Sequence, residues 1–190
     1  RFDKTMLVTT HKGRVIHQQP GELPGADLSG LKLSGAALGG ERLVGTNLSG
    51  AILNGTDFSD ADMSRACFDN AAMEGAFLAG ANLDGASLRG TDLYWAIAYG
   101  ASFKNADLTG ARLTGAGLEE SDFTGAVLAG ANLGRDNLGG GTSIQGANFT
   151  DADISRAVWD GAEYDVRTVF PLGFDPQRQG LVFRAVYRSR

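Results

Sequence analysis

Residues 75–95 read GAFLAGANLDGASLRGTDLYW, and within them Leu83, Leu88 and Leu93 arrive every five residues, each preceded two positions earlier by Ala or Thr. A helix repeats at 3.6 residues and a strand at 2.0, so a period of five belongs to neither element alone. Working outward, the large apolar residue (position i) recurs in steps of five from Leu28 to Leu138, and only Ala98 is not Leu, Phe or Met. The register slips by one residue through LGGGTSI and resumes at Ile144, Phe149, Ile154, Trp159 and Tyr164, for 28 units in all. Position i−2 is Ala, Thr or Ser except at Leu31, Glu41 and Asp136. A self-similarity this long identifies a solenoid.

The glycines exclude a helix. Gly occupies position i+2 in 18 units, and at about 1 kcal/mol per helical Gly the penalty would approach roughly 18 kcal/mol. That exceeds the net stability of a typical domain. Extended geometry fits instead: i−2 and i point to one side of a short strand and i−1 to the other. Positions i+1 and i+2 then turn the chain, with Gly supplying the positive φ of a type II turn. Asp60, Asn70, Asn105 and Asp151 tolerate the same conformation. One edge and one corner every five residues wind the chain into stacked coils.

The units ADLSG, TNLSG, ANLDG, ADLTG and ANFTD resemble the A(D/N)LXX motif of the pentapeptide-repeat family. That resemblance implies an all-β fold, a right-handed quadrilateral parallel β-helix with four units per coil. About seven coils spaced roughly 4.8 Å apart give a rod about 34 Å long. The segment YDVRTVFPLGFDPQRQGLVF is similar to the ending of many members. Residues 1–25 are expected to cap the first coil, with TMLVTTHKGRVIHQQ as two strands around His11-Lys12-Gly13. Residues 26–166 form the repeat body, and 167–190 a C-terminal cap or tail in which Phe170, Phe174 and Phe183 close the last coil. Helix, strand and tail stay open for residues 180–190.

No run approaches 18 apolar residues, so no membrane-spanning helix is expected. Cys67 is the lone cysteine and cannot form an internal disulfide. It suits a reducing, cytoplasmic compartment. The chain starts at Arg1 rather than Met, which leaves an upstream segment, or membership in a longer protein as an accessory domain, open. Two histidines and one cysteine are a poor metal set, and no nucleophile motif appears. Gly139-Gly140-Gly141 lacks a P-loop lysine and reads as the register slip. A packed interior leaves no room for substrate. The expectation is no enzyme, no metal and no cofactor.

The outer surface carries two signals. Residues 26–165 hold 19 acidic and 8 basic residues, net −11, while the N-terminal 25 residues are +2 and residues 166–190 are +4. Direct nucleic-acid binding needs a basic footprint and is not expected. Asp62, Asp84, Asp122, Glu163 and Asp165 are the candidates for one outward acidic face, interrupted by Arg42, Arg65 and Lys104. Acidity that merely aids solubility is the plainer reading. Second, counting every fourth unit places Ala37, Asp57, Phe77, Ile97, Gly117, Asn137 and Val158 in one outward column. Tyr99, Tyr94 and Trp95 flank Ile97, and clustered outward apolar residues mark an interface. The competing reading is that Tyr94 or Trp95 folds over the thin core at Ala98. Together these signals predict a non-enzymatic protein-binding rod, with a homodimer as one form of the contact. The resemblance adds a second role, shared with antibiotic-resistance and self-immunity members. It is a DNA mimic that binds DNA gyrase or topoisomerase IV.

Overall fold

A computed structural model describes residues 5–185, which contain no helix. Each unit lays its i−1 residue beside the i−1 residue of the next coil as a single parallel bridge, so the edges are too short for ordinary strands. Asp27 bridges Asn47, Asn47 bridges Cys67 and Cys67 bridges Ser87, in steps of twenty residues. Four five-residue units therefore complete one coil. The backbone is satisfied between coils: the Leu28 N–H donates to Asn47 O at 2.8 Å, and the Asn47 N–H donates to Ala26 O at 2.9 Å. Every interior edge repeats this pair of bonds, which is how the stack avoids buried unpaired amides.

The bridges define four outer faces. The first runs through residues 27, 47, 67, 87, 107, 127 and 153; the second through 32, 52, 72, 92, 112, 132 and 158. The third runs through 37, 57, 77, 97, 117, 143 and 163; the fourth through 42, 62, 82, 102, 122, 148 and 169. At the corners the Ala36 N–H donates to Leu33 O at 3.0 Å across a turn whose Gly35 has φ 69°. Asp60, Asn70, Asn105 and Asp151 adopt the same left-handed conformation, but so do Arg65, Trp95, Glu120 and Arg156. Those four have no local hydrogen-bonding reason to accept it, so the stacking of the coils imposes it.

Inside, the i residues from Leu28 to Leu133 are buried, and Phe103, Phe123 and Phe149 stack at 4.7 and 4.9 Å between centroids. The small i−2 position has a second use where it is Thr or Ser. Buried Thr56 and Thr91 donate their hydroxyls to Leu33 O and Phe68 O, at 2.9 and 2.7 Å, one coil back. Ser121 does the same to Ala98 O at 2.7 Å. A hydroxyl there is satisfied by a carbonyl that the stack already places.

The interruption near residue 138 differs from the expected one-residue slip. Gly117 bridges Ser143 and Asn132 bridges Val158, a step of 26 rather than 20, so a whole unit plus one residue leaves the coil. Leu138 is 75% exposed and is no unit centre. Asp136 shapes the excursion, since its Oδ1 accepts from the Leu138 and Gly140 amides at 2.9 and 2.7 Å. Gly141 closes it where a Cβ would collide with Gly161 O. The third face therefore continues through Ser143 and Glu163, not through Asn137 and Val158, and Val158 belongs to the second face.

At the N-terminal end β1 (Thr5–Thr9) and β2 (Val15–Pro20) form an antiparallel pair. Met6 and Val8 are buried against the core, and the Ala37 N–H donates to Thr9 O at 2.7 Å. At the other end β3 (Glu163–Tyr164) pairs in parallel with β4 (Val182–Phe183). Phe170 extends the phenylalanine stack at 6.0 Å from Phe149, and Phe174 packs 5.5 Å from Trp159. Phe183 meets Tyr164 edge-on at 5.5 Å but stays half exposed. Of residues 180–190, a strand is present at 182–183; positions 186–190 lie outside the described residues.

Candidate interaction surface

The third face holds Phe77, Ile97 and Tyr99 of the apolar residues singled out by the repeat, while Tyr94 and Trp95 sit at a second-face corner and Val158 on the second face. Phe77 and Ile97 bridge each other one coil apart and are 44% and 47% exposed; Tyr99, at the following corner, is 58% exposed. Tyr94, expected on the same surface, is buried instead. Its ring stacks on Trp95 at 4.9 Å, Arg112 lies 4.0 Å over it, and its hydroxyl donates to Asn137. The Trp95 indole N–H donates to Asp136 Oδ2 at 2.7 Å. Tyr94 and Trp95 thus hold the excursion at residues 136–141, two coils further on, rather than covering Ala98. The left-handed corner at Trp95 (φ 55°) directs the indole toward Asp136. That hydrogen bond is the main reason the Asp136 carboxyl lies below the ordinary carboxylate range.

The proposed acidic face divides. Asp62 and Asp122 lie on the fourth face, Asp84 at its corner, and Glu163 and Asp165 at the end of the third. Most are occupied internally. Asp62 accepts from the Ser64 amide and Asn82, Asp84 from Ser102 and the Lys104 amide, and Glu163 pairs with Arg184 at 2.6 Å. Asp122 is paired with Lys104 at 3.2 Å; burial pushes its pKa up, but the Thr124 hydroxyl and amide and Lys104 outweigh this and hold it low. Asp165 is not outward at all. It is buried beneath Arg167, whose Nη2 lies at 2.7 Å, and it accepts from the Gly146 amide at 3.0 Å. It terminates the last turn, where those donors need a carboxylate.

A different acidic set emerges when charges are sorted by face. The third-face units (36–40, 56–60, 76–80, 96–100, 116–120, 142–146 and 162–166) contain six acidic residues and no Lys or Arg. Asp57 lies next to Phe77 in the column, and the Glu119 carboxylate hangs over Gly117, next to Ile97; a Cβ at Gly117 would lie 3.1 Å from it. Asp60 reaches over Gly80 in the same manner. Sequence reasoning missed Asp60, Glu74, Glu119 and Glu120 because it summed charge along the rod. Grouping every fourth unit would have found all but Glu74, which sits at the preceding corner.

Among the described residues no group of His, Cys, Asp and Glu could hold a metal ion, and no helix is long and apolar enough to cross a membrane. Two open clefts flank the hairpin, one lined by Met6, Leu23 and Arg42 and one by Thr10, His11 and Arg14; neither includes a patch residue. Cys67 is a free, half-buried thiol.

A family model described as pentapeptide repeats matches residues 42–78, 66–105, 78–115 and 101–138. Among solved structures, HetL is a pentapeptide repeat protein involved in heterocyst differentiation regulation from the cyanobacterium Nostoc sp. strain PCC 7120. It is 26% identical over 85% of this chain and 78% of its own, with a TM-score of 0.49. Alr5209, a pentapeptide repeat protein from Nostoc PCC 7120, is 31% identical over 60% of this chain and 84% of its own, with a TM-score of 0.35. QnrB1, a plasmid-mediated fluoroquinolone resistance protein, is 18% identical over 86% of this chain and 91% of its own, with a TM-score of 0.43. No curated protein matches the sequence.

Proposed function

This chain belongs to the pentapeptide-repeat family, and from that premise we propose that it is a non-enzymatic interaction rod that binds a protein through its outer faces. The reading places residues 26–166 in a right-handed quadrilateral β-helix of about seven coils, capped by residues 1–25 and 167–190. The observation that carries it is the pair Phe77 and Ile97, large apolar side chains half exposed on adjacent coils where the fold demands nothing apolar. Leaving such surface in water is unfavourable at about 25 cal/mol per Å², so covering it contributes to binding against the entropy cost of association.

The test is capture from a lysate of the native cell with immobilised wild-type rod and with a Phe77→Ser/Ile97→Ser double variant of unchanged circular dichroism. A partner retained by the wild type and depleted about tenfold by the variant supports the patch as the contact. Equal retention removes it. A second reading, a DNA mimic bound by gyrase or topoisomerase IV, draws on the net −11 of residues 26–165. The internal engagement of Asp62, Asp84 and Asp122 ranks it second. Topoisomerase subunits among the captured proteins, released as salt rises, would reverse that order.

A further inference from the structure

We propose that the third face docks a basic, extended segment of a partner protein, laid along the rod axis, with one apolar side chain between two cationic ones. The proposal rests on the reading of the patch as an interface and adds the chemistry of its occupant.

Along the column the order is Asp57, Phe77, Ile97 and Gly117, with the Glu119 carboxylate over Gly117. The apolar pair is thus bracketed by carboxylates at both ends. Asp60, over Gly80, and Glu74, at the preceding corner, add charge at the sides. Asp60, Glu74 and Glu119 have no cationic partner among the described residues. The cations that do reach this face come from the chain ends: His11 to Asp57 at 3.4 Å, Arg167 to Glu120, and Arg184 to Glu163. The middle is left bare. On the other three faces Arg89 pairs with Asp107, Arg112 with Asp92 and Lys104 with Asp122.

Charge selects the occupant. A second copy set patch to patch would oppose one bare acidic middle to another, and like charges there weaken association. An acidic or nucleic-acid partner fails for the same reason. A cationic segment is attracted, and an arginine beside Tyr99 or Phe77 gains a further contact with the ring face.

Spacing selects its form. From Asp57 to Gly117 is three coil steps, about 14 Å, and an extended chain covers that in about four residues at roughly 3.4 Å each. Side chains at alternate positions share one side of such a chain, so Arg-x-Leu-x-Arg places its leucine against Phe77 and Ile97 and its arginines at the two carboxylate ends.

The probe is a fluorescein-labelled peptide, Gly-Ser-Arg-Ser-Leu-Ser-Arg-Ser-Gly, titrated with the full chain by anisotropy. The expected result is binding that weakens about tenfold or more with Phe77→Ser/Ile97→Ser, and comparably with Asp60→Asn/Glu119→Gln. It should be indifferent to Asp107→Asn on the first face. Replacing Leu by Ser in the peptide, or both Arg by Glu, should each abolish binding. Indifference to Asp60→Asn/Glu119→Gln, or binding of the Arg-to-Glu peptide, overturns the proposal. If the lysate partner is nonetheless lost with Phe77→Ser/Ile97→Ser, the interaction face stands and only its basic occupant falls. Loss with Asp107→Asn equal to that at the third face reduces the effect to diffuse charge and also overturns it. So does a salt-resistant dimer in sedimentation velocity that Ile97→Ser dissolves, because the occupant is then a second copy.

Discussion

The second and third faces are consecutive edges of the same coils, yet their surfaces follow different rules. The second-face units carry three acidic and three basic residues, and Arg112 both pairs with Asp92 at 3.0 Å and covers Tyr94. The third-face units carry six acidic residues, Asp165 alone of them buried, and no Lys or Arg; their exposed Phe77, Ile97 and Tyr99 cluster on adjacent coils, whereas the exposed Ile52 and Val158 of the second face lie coils apart. The interiors of the two faces are closely alike: Ala or Thr at i−2 except at Leu31, an apolar centre, and a positive-φ corner except at Arg135 and Val166. What differs is confined to outward positions that the stack does not constrain. A fold that needs the same inside on every edge leaves each outside free to be shaped by what it meets.

The strongest test of that separation strikes the shared interior. Leu108 is fully buried, and Leu108→Arg puts an unpaired charge among side chains that leave it no partner, costing on the order of 4 kcal/mol or more. The chain should fail to fold, losing all faces at once. Its outward neighbour Asp107 accepts from Arg89 at 2.7 Å and from the Thr109 amide at 2.9 Å. Asp107→Ser should cost about 1 kcal/mol or less, since exposed pairs contribute little. Comparable losses at both positions in urea melts would break the inside–outside division on which the comparison stands.

That division is also what made the fold legible. Leu83, Leu88 and Leu93 announce the period, and the bridges at twenty-residue steps realise it. The excursion was not legible in the same way. Leu138 sits in phase with the preceding centres, so periodicity alone counts it as a unit, and the segment is held outside the coil by the Tyr94 and Trp95 contacts to Asn137 and Asp136. Those contacts span 43 and 41 residues, a separation at which local pattern carries no information. Asp165 was misplaced for a related reason. It follows the last regular centre, where Arg167 and Gly146 turn an outward position inward.

A second test separates the bare middle of the third face from its sealed end. Burial raises the Asp165 pKa, but the Arg167 side chain, the Arg167 amide and the Gly146 amide outweigh it, and the carboxyl lies below its ordinary value of 3.8. A carboxyl with a depressed folded pKa stabilises fully above its unfolded value and loses that contribution as pH falls through the folded one. Stability from this site should therefore be flat near neutrality and decline below about pH 4. Asp165→Ala should cost about 1.5–3 kcal/mol at pH 7, because the amides lose a charged acceptor. It should also flatten the acid limb of the urea midpoint against pH. An unchanged acid limb would show that the end of the face is not closed by this carboxylate.

The smallest expected effect is the most discriminating. Ile97 is 47% exposed, its backbone bonds do not depend on its side chain, and its neighbours Phe77 and Gly117 leave it open to water. Ile97→Ser should change stability by less than about 0.5 kcal/mol. On the second face Arg112→Ser removes an ion pair and the guanidinium over Tyr94, and should cost about 1 kcal/mol despite the exposure of both charges. The two variants share a fold, so urea midpoints at equal m-values compare them directly. If Ile97→Ser costs more than about 1.5 kcal/mol, the residue is holding the rod together and its exposure needs no partner. If it costs almost nothing while Arg112→Ser does not, the second face is tied for stability and the third is left apolar at a residue the fold can spare. That is the condition under which a binding surface can be lost without losing the scaffold.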